Sequence, residues 1–367
     1  MKVAIVHYWL VGMRGGERVL EELVRLYPQA DLFTHVADRE KLSDLLANQR
    51  IVETFVSRLP GAKRHYQKYL GFMPRALEEL DLSGYDLVIS SESGPAKGVI
   101  VPPGTPHICY IHSPMRYIWD HYQLHKWQLG RLGRMYYSRL CHRLRIWDVT
   151  TAARVDQFVA NSTFVGARVK RYYRRDASVV HPPVDLEQYG LPDAGVERGT
   201  YLFVSQLVPY KRAELVIEAF RGLDRQLIVV GDGSQRAQLE QNLPANVTLL
   251  GSVPASELRK LYQTSRALVF PAEEDFGIVP VEAMACGTPV LAYGRGGALD
   301  SVVEDQTGLF FYSQTPDAIR EVVQRFEDQA ALFDASAIRA HAETFAADRF
   351  RREFSEIVDR VLADRAM

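Results

Sequence analysis

Short apolar runs rich in β-branched residues recur along the chain, at VAIV (3–6), DLVIS (86–90), QFVA (157–160), YLFV (201–204), QLIVV (226–230), ALVF (267–270) and PVLAY (289–293). Longer segments separate them, in which apolar positions return every three to four residues. Runs of this length suit strands covered on both faces, and the longer period suits helices lying on a sheet. The alternation therefore predicts βαβ units and parallel sheets. It breaks at HPPVDLEQYGLPDAGVERGT (181–200), where proline and glycine concentrate, the mark of an exposed connection. Two domains are expected, 1–185 and 186–345. The charged, amphipathic stretch AADRFRREFSEIVDRVLADR predicts a terminal helix within 346–367, with the N-terminal domain as its packing partner.

A chain of 367 residues with 47% apolar and 24% charged content is long enough for two cores. Ligands of doubly wound sheets bind at the C-terminal ends of the strands, so two such domains in series predict a cleft with a Rossmann-like domain on each side. Cys109, Cys141 and Cys286 are odd in number, far apart and without a C-x-x-C pair. Neither a disulfide framework nor a zinc site is expected, and a reducing cytoplasm fits. The apolar start MKVAIVHYWLVGM is interrupted by His7 and followed by GGE rather than by small cleavage-site residues, which argues against a signal peptide. No uncharged apolar stretch reaches the ~20 residues of a membrane span. Charge is uneven: residues 1–185 hold 26 Lys+Arg against 18 Asp+Glu, and residues 186–367 hold 18 against 27. The first half is expected to meet something anionic, a phospholipid surface or a phosphate-bearing acceptor. Nucleic acid is not an expected partner.

The richest stretch for chemistry is VFPAEEDFGIVPVEAMACGTPVLAYGRGG (269–297). Glu274 and Glu282 flank a turn and the start of a helix, where the N–H groups of Gly277, Ile278 and Val279 can face an anion with the helix dipole behind them. A diphosphate suits such a place, and the two carboxylates can accept hydrogen bonds from hydroxyls on either side of it. Upstream, VSQLVPYKRAELVIEAF (204–220) sets Lys211 and Arg212 at a helix start. Gly231-Asp232-Gly233 follows a strand, but Arg236 stands where a dinucleotide fingerprint needs its third glycine, so a dehydrogenase is disfavoured. In the first half, Gly15 and Gly16 lie between the first strand and first helix, where backbone can approach a phosphate or sugar closely. His112, in HICYIHSPMRYIWD (107–120), falls at a strand end.

From Glu274 to Val290 the chain follows the pattern E-x-F-G-x-x-x-x-E-A-M-A-x-G-T-P-V, and so resembles family 4 of the retaining glycosyltransferases, which have the GT-B fold. The resemblance implies a nucleotide-sugar donor bound mainly by the second domain. Glu274 would contact the donor sugar, Glu282 the ribose hydroxyls and Lys211 the diphosphate; Gly251 to Val253 would line the base. His112 maps to the family's cleft histidine near the donor sugar. The usual arginine five residues before the lysine is replaced by Gln206, a missing cation for which Arg212 is the candidate substitute. The string Tyr110-Ile111-His112-Ser113-Pro114 through Arg116, Trp119 and Asp120 resembles the branch that uses GDP-mannose in bacterial surface polysaccharide synthesis. Retention of configuration and independence of metal and cofactor are implied, and no Asp-x-Asp triplet occurs. A lipid-linked saccharide is the expected acceptor, at the inner face of the cytoplasmic membrane. Lys63, Arg64, Arg116 and Trp119 are its expected contacts or those of the bilayer, with Lys68, Arg131, Arg134, Arg139 and Arg143 interleaved with Tyr66, Tyr69, Tyr136 and Tyr137. The competing readings are a UDP-sugar-dependent enzyme of the same family and a nucleotide-sugar epimerase of related fold.

Overall fold

The computed structural model describes residues 1–366, which form two compact units, 1–181 with 350–366, and Pro182–Arg349. In the first unit, β1 (Val3–His7), β2 (Asp31–Thr34), β3 (Ile51–Glu53), β4 (Leu87–Glu92), β5 (His107–Ile111), β6 (Gln157–Ala160) and β7 (Ala177–Val179) make one parallel sheet, ordered β3-β2-β1-β4-β5-β6-β7. In the second, β8 (Thr200–Val204), β9 (Leu227–Val230), β10 (Val247–Gly251), β11 (Ser265–Phe270), β12 (Val290–Tyr293) and β13 (Gly308–Phe311) are ordered β10-β9-β8-β11-β12-β13. Both sheets wind outward in two directions from a central pair, β1/β4 and β8/β11. That reversal leaves a crevice at the strands' C-terminal ends, where ligands bind in doubly wound folds.

The helices that matter for the site are α1 (Gly15–Leu26), α2 (Tyr122–Trp127), α3 (Arg131–Thr151), α4 (Thr163–Tyr173), α5 (Ala213–Phe220), α6 (Ala255–Thr264), α7 (Ile278–Ala285) and α8 (Ala347–Ala366). α8 closes the first unit's core although it ends the chain. Its Phe350, Phe354, Ile357 and Val358, one to four residues apart and so on one helical face, are buried among Val3, Ile5, Val19, Leu23 and Tyr110. Tyr110 meets the Phe350 ring edge-on at 5.6 Å. The second unit buries apolar side chains on both faces of its sheet, as its strand composition requires.

Two buried histidines give the first unit a pH dependence. His35 is bonded to Thr54 Oγ1 (3.1 Å) and the Pro95 carbonyl (3.2 Å), and His107 to Ser90 Oγ (2.9 Å). Burial disfavours the charged ring and lowers each pKa to about 4. Between pH 4 and the unfolded value near 6.5, the unfolded chain therefore binds more protons than the folded one, and stability falls as pH falls through that window. Each histidine should contribute about 1.4 kcal/mol of loss per pH unit near pH 5. All four tryptophans lie in this unit, so their fluorescence in urea at pH 7 and pH 5 measures it. Equal midpoints at the two pH values would contradict the assignment.

Candidate functional site

In the second unit the two strands of the central pair each deliver one charged group. After β8 the chain makes a turn at Pro209–Lys211 and enters α5; after β11 it runs through Glu274 to Gly277 and enters α7. The Lys211 ammonium bonds the Glu274 carboxylate, both groups being largely shielded from solvent. The loop that carries Glu274 is fixed by glycine contacts. Gly297 N–H donates to the Glu274 carbonyl at 2.8 Å. A Cβ on Gly297 would lie 2.2 Å from Phe276 Cα, and one on Gly296 would lie 2.5 Å from the Glu274 carbonyl oxygen. Gly277 has φ +86° and precedes α7, whose first turn has no side-chain cap. The N–H groups of Ile278 and Val279 thus form an uncapped helix start beside the lysine–carboxylate pair.

Glu282 lies one helical turn further on. Tyr262 of α6 donates to its Oε2 at 3.0 Å, and Tyr189 is also hydrogen-bonded to it. Burial, then the Glu282 charge, pushes the Tyr262 hydroxyl well above its usual pKa. Sequence reasoning missed both tyrosines, which lie 93 and 20 positions away and share no motif with the glutamate. Arg212 adopts φ +62°, a left-handed conformation sparsely used by non-glycine residues, and faces Glu214 at 3.7 Å. Gln206 is exposed. Gly231 and Gly233 serve backbone packing: added Cβ atoms would lie 1.7 Å from the Ser205 carbonyl oxygen and 2.3 Å from that of Leu207. Arg236 pairs with Asp232 and Glu240, so this turn is a brace between β8 and β9. The Gly251 carbonyl accepts from Gly231 N–H at 2.8 Å, and Val253 is half-buried against the core.

In the first unit the central pair again gathers polar groups. Gly15 and Gly16 open α1, and a Cβ on Gly16 would lie 2.4 Å from the Tyr8 hydroxyl and 3.7 Å from His112 Nε2. His112, just beyond β5, bonds Ser91 Oγ at 2.8 Å. Its N–H donates to the Glu92 carbonyl at 2.8 Å. Below it lies a group with no precedent in the motif reading: Lys97, 0% exposed, contacts Glu92 Oε1 at 2.8 Å and also the Asp148 carboxylate. Glu92 further accepts from the Ala96 N–H, and Asp148 accepts from Tyr173 and, at 2.8 Å, from the Trp119 indole N–H. Burial pushes the Glu92 pKa up against the pull of Lys97; burial alone would lower that of Lys97, but the two carboxylates outweigh it and raise it. The only available signal was the polar SSESGPAK string, which ends the apolar strand β4 and leads out of it.

Trp119 stacks on Tyr172 at 4.5 Å, and Asp120 bonds both Tyr172 and Arg168, which also reaches Ser113. The whole 112–120 loop is therefore held by α3 and α4. Arg116 is half-buried. Lys63 is exposed and 3.8 Å from Asp38; Arg64 and Lys68 are exposed. Among the described residues no group of three or more His, Cys, Asp or Glu side chains is placed to hold a metal, and no helix is long and apolar enough to cross a membrane.

Residues 13–188 match the model of Glycosyltransferase Family 4, and residues 193–341 that of Glycosyl transferases group 1. The chain is 36% identical over 134 residues to an uncharacterised glycosyltransferase of Methanocaldococcus jannaschii, covering 34% of each chain. It is 29% identical over 233 residues to the D-inositol 3-phosphate glycosyltransferase of Rhodococcus opacus, covering 55% of this chain and 52% of that one. The chain spans about a third to a half of the curated relatives it matches. Among solved structures, Anabaena HepE in complex with UDP superposes with a TM-score of 0.73 at 18% identity, over 98% of this chain and 100% of that one. Sucrose-phosphate synthase from Thermosynechococcus elongatus gives 0.73 at 18%, over 99% and 100%. The likeness is one of fold, GT-B with two Rossmann-like domains.

The buried triad yields a direct expectation. Lys97→Met leaves two adjacent buried carboxylates without a cation, a change that costs ~3–5 kcal/mol when a buried pair is broken. Urea unfolding followed by tryptophan fluorescence should show it, and Lys97→Met combined with Glu92→Gln should recover part of the loss. A midpoint within error of the wild type would show that the triad carries no such weight.

Proposed function

With both halves matched to glycosyltransferase families, the chain is of the group 1/family 4 glycosyltransferase type, and we propose that it moves α-mannose from GDP-mannose to a lipid-linked saccharide with retention of configuration. The observation that carries the reading is the convergence of Lys211, Glu274 and the uncapped start of α7 at the β8/β11 crevice. An ammonium and a helix start stabilise a diphosphate, most strongly as it takes up charge on leaving. Glu274 accepts from sugar hydroxyls, and Glu282, oriented by Tyr262 and Tyr189, from the ribose. Arg212 supplies the cation that Gln206 does not. Within the first unit, His112 lies close to Gly16 at the end of β5. In this proposal no metal is required, because Lys211 and backbone N–H groups supply the positive field.

Mannose rests on the string Tyr110 to Asp120, whose Ser113, Trp119 and Asp120 are all held in place. A UDP-sugar is the second reading, favoured by the UDP and UDP-glucose bound in HepE. Thermal shifts with both donors separate the two, since a ligand selective for the folded state stabilises it. GDP-mannose should raise Tm more than UDP-glucose, and the reverse ranking would replace the donor. With the preferred donor, turnover should persist in EDTA, and Lys211→Ala should lower kcat by ~10²-fold, the scale of a lost transition-state donor. Wild-type kinetics in Lys211→Ala would remove that residue from the site.

The acceptor's lipid implies a bilayer contact, and α2–α3 offers one. Between Asp120 and Asp148 there are six Lys and Arg and no acidic residue. Over the same stretch Trp127 (63%), Leu132 (79%), Met135 and Tyr136 are exposed. Large apolar side chains among cations suit a headgroup boundary. Each cation contributes ~1 kcal/mol at an anionic surface, screened within ~8 Å at physiological salt. The protein should float with anionic liposomes at low salt and be partly released at high salt, and Trp127→Ser with Leu132→Ser should remove the salt-resistant fraction. Equal flotation with neutral liposomes, or none with either, would refute this docking.

A further inference from the structure

The cations at the second unit's crevice have carboxylate partners within the chain. Lys211 bonds Glu274, with the two side chains 14% and 20% exposed, and its Nζ lies 5.2 Å from the centre of the Tyr210 ring. Arg212, the next residue, faces Glu214 at 3.7 Å. A diphosphate at the start of α7 thus meets a lysine that already has a counter-ion. An ammonium carries three hydrogens and could bond both anions, but carboxylate and phosphate would then face each other as like charges.

Backbone holds both members of the pair in place. Lys211 N–H donates to the Val208 carbonyl at 3.0 Å, and Leu207 N–H to that of Asp232 at 2.9 Å. The Glu274 carbonyl accepts from Gly297 N–H at 2.8 Å, and Gly296 and Gly297 lie directly against residues 274–276. The pair therefore opens by side-chain rotation and not by withdrawal of a loop. Being largely shielded from solvent, it is weakly screened by salt. A sugar changes the balance, because its hydroxyls donate to Glu274 and give the carboxylate a partner in place of the ammonium, which then serves phosphate alone. A bare nucleoside diphosphate brings no such donor and meets the lysine with its counter-ion still competing.

We propose, resting on the sugar-transfer reading above, that Glu274 competes with the diphosphate for Lys211. Through this competition the site holds a sugar-bearing nucleotide more tightly than the nucleoside diphosphate left after transfer. Glu274 then has a second role beside its sugar contact, that of discriminating donor from spent nucleotide and favouring release of the latter.

Calorimetric titration of the full chain with GDP and UDP, and with GDP-mannose and UDP-glucose, tests this. Wild type should bind the preferred donor more tightly than the corresponding diphosphate. Glu274→Gln, which keeps the shape and removes the charge, should bind the diphosphate about 10-fold tighter, the scale of one like charge removed from a part-shielded site. Its affinity for the donor should rise much less, because the charged sugar contact is lost, so the preference narrows or inverts. In the Lys211→Met background the same change should gain less, since a charge that only repels phosphate acts with or without the lysine, whereas one that competes needs it. Far-UV circular dichroism checks that each variant is folded, and Glu274→Ala replaces Glu274→Gln if the latter is not. If Lys211→Met weakens the diphosphate but Glu274→Gln gives no gain, or the same gain in both backgrounds, the competition is refuted and the site reading stands. If Lys211→Met binds the diphosphate as tightly as wild type, or wild type binds neither GDP nor UDP, the site reading itself fails and the competition falls with it.

Discussion

The first unit is organised around one buried cation. Lys97 comes from the loop after β4, Glu92 from the end of β4, and Asp148 from α3, 51 residues beyond the lysine. Charges without water are tolerated when paired and fully hydrogen-bonded, and here the backbone N–H groups of Ala96 and Lys97, the Trp119 indole and the Tyr173 hydroxyl complete the set. Those donors come from three parts of the site's frame, the loop after β4, the 112–120 loop and α4. Satisfying the triad therefore fixes at once the β4 loop, the 112–120 loop and the contact between the C-terminal ends of α3 and α4. His112 inherits its place from this, because its N–H is bonded to the carbonyl of Glu92.

The second unit meets the same demand, a precise loop at a switch point, with close backbone approach rather than buried charge. Gly296 and Gly297 let the 294–297 turn lie directly on Glu274 to Phe276, and Gly231 and Gly233 do the same for the Ser205 to Leu207 loop that leads to Lys211. Positive φ at Gly231, Gly233, Gly277 and Gly296 is affordable only without a Cβ. The result is that Lys211 and Glu274 meet while both loops are held by backbone. Side chains of the site remain available for a ligand because they are not needed as struts.

This difference explains what could be read from the sequence. Where backbone contact fixes a loop, glycines appear at set intervals, and the run from Glu274 to Val290 was legible with its helix, its turn and both glutamates. The parallel sheets followed from the rhythm of apolar runs, although DLFT at 31–34, IVE at 51–53, ASV at 177–179 and GLFF at 308–311 were too short or too mixed to register as strands. Where side chains from distant segments fix a loop, the sequence shows only ordinary residues. Lys97 reads as a surface lysine until Asp148 is beside it, and Tyr189 and Tyr262 read as core aromatics until Glu282 lies between them. Trp119 was legible as a member of a string, but its anchoring by Asp148 and Tyr172 was not.

α3 ties these observations together. Its inward residues, Cys141, Leu144, Asp148 and Thr151, are buried and recur at helical spacing toward its C-terminal end. Its other end carries Leu132, Met135 and Tyr136, exposed among arginines. At 1.5 Å per residue the 21-residue helix is ~31 Å long, with the surface patch at one end and a ligand of the Lys97 triad near the other. A polar, uncharged residue at position 148 could fill space but could not neutralise Lys97. A solvated charge at 132 or 135 would likewise leave the helix intact but remove its apolar face. The helix thus carries exposed apolar side chains among arginines toward one end, and one buried carboxylate among apolar and small residues toward the other. The buried charge is accounted for by its cation, Lys97.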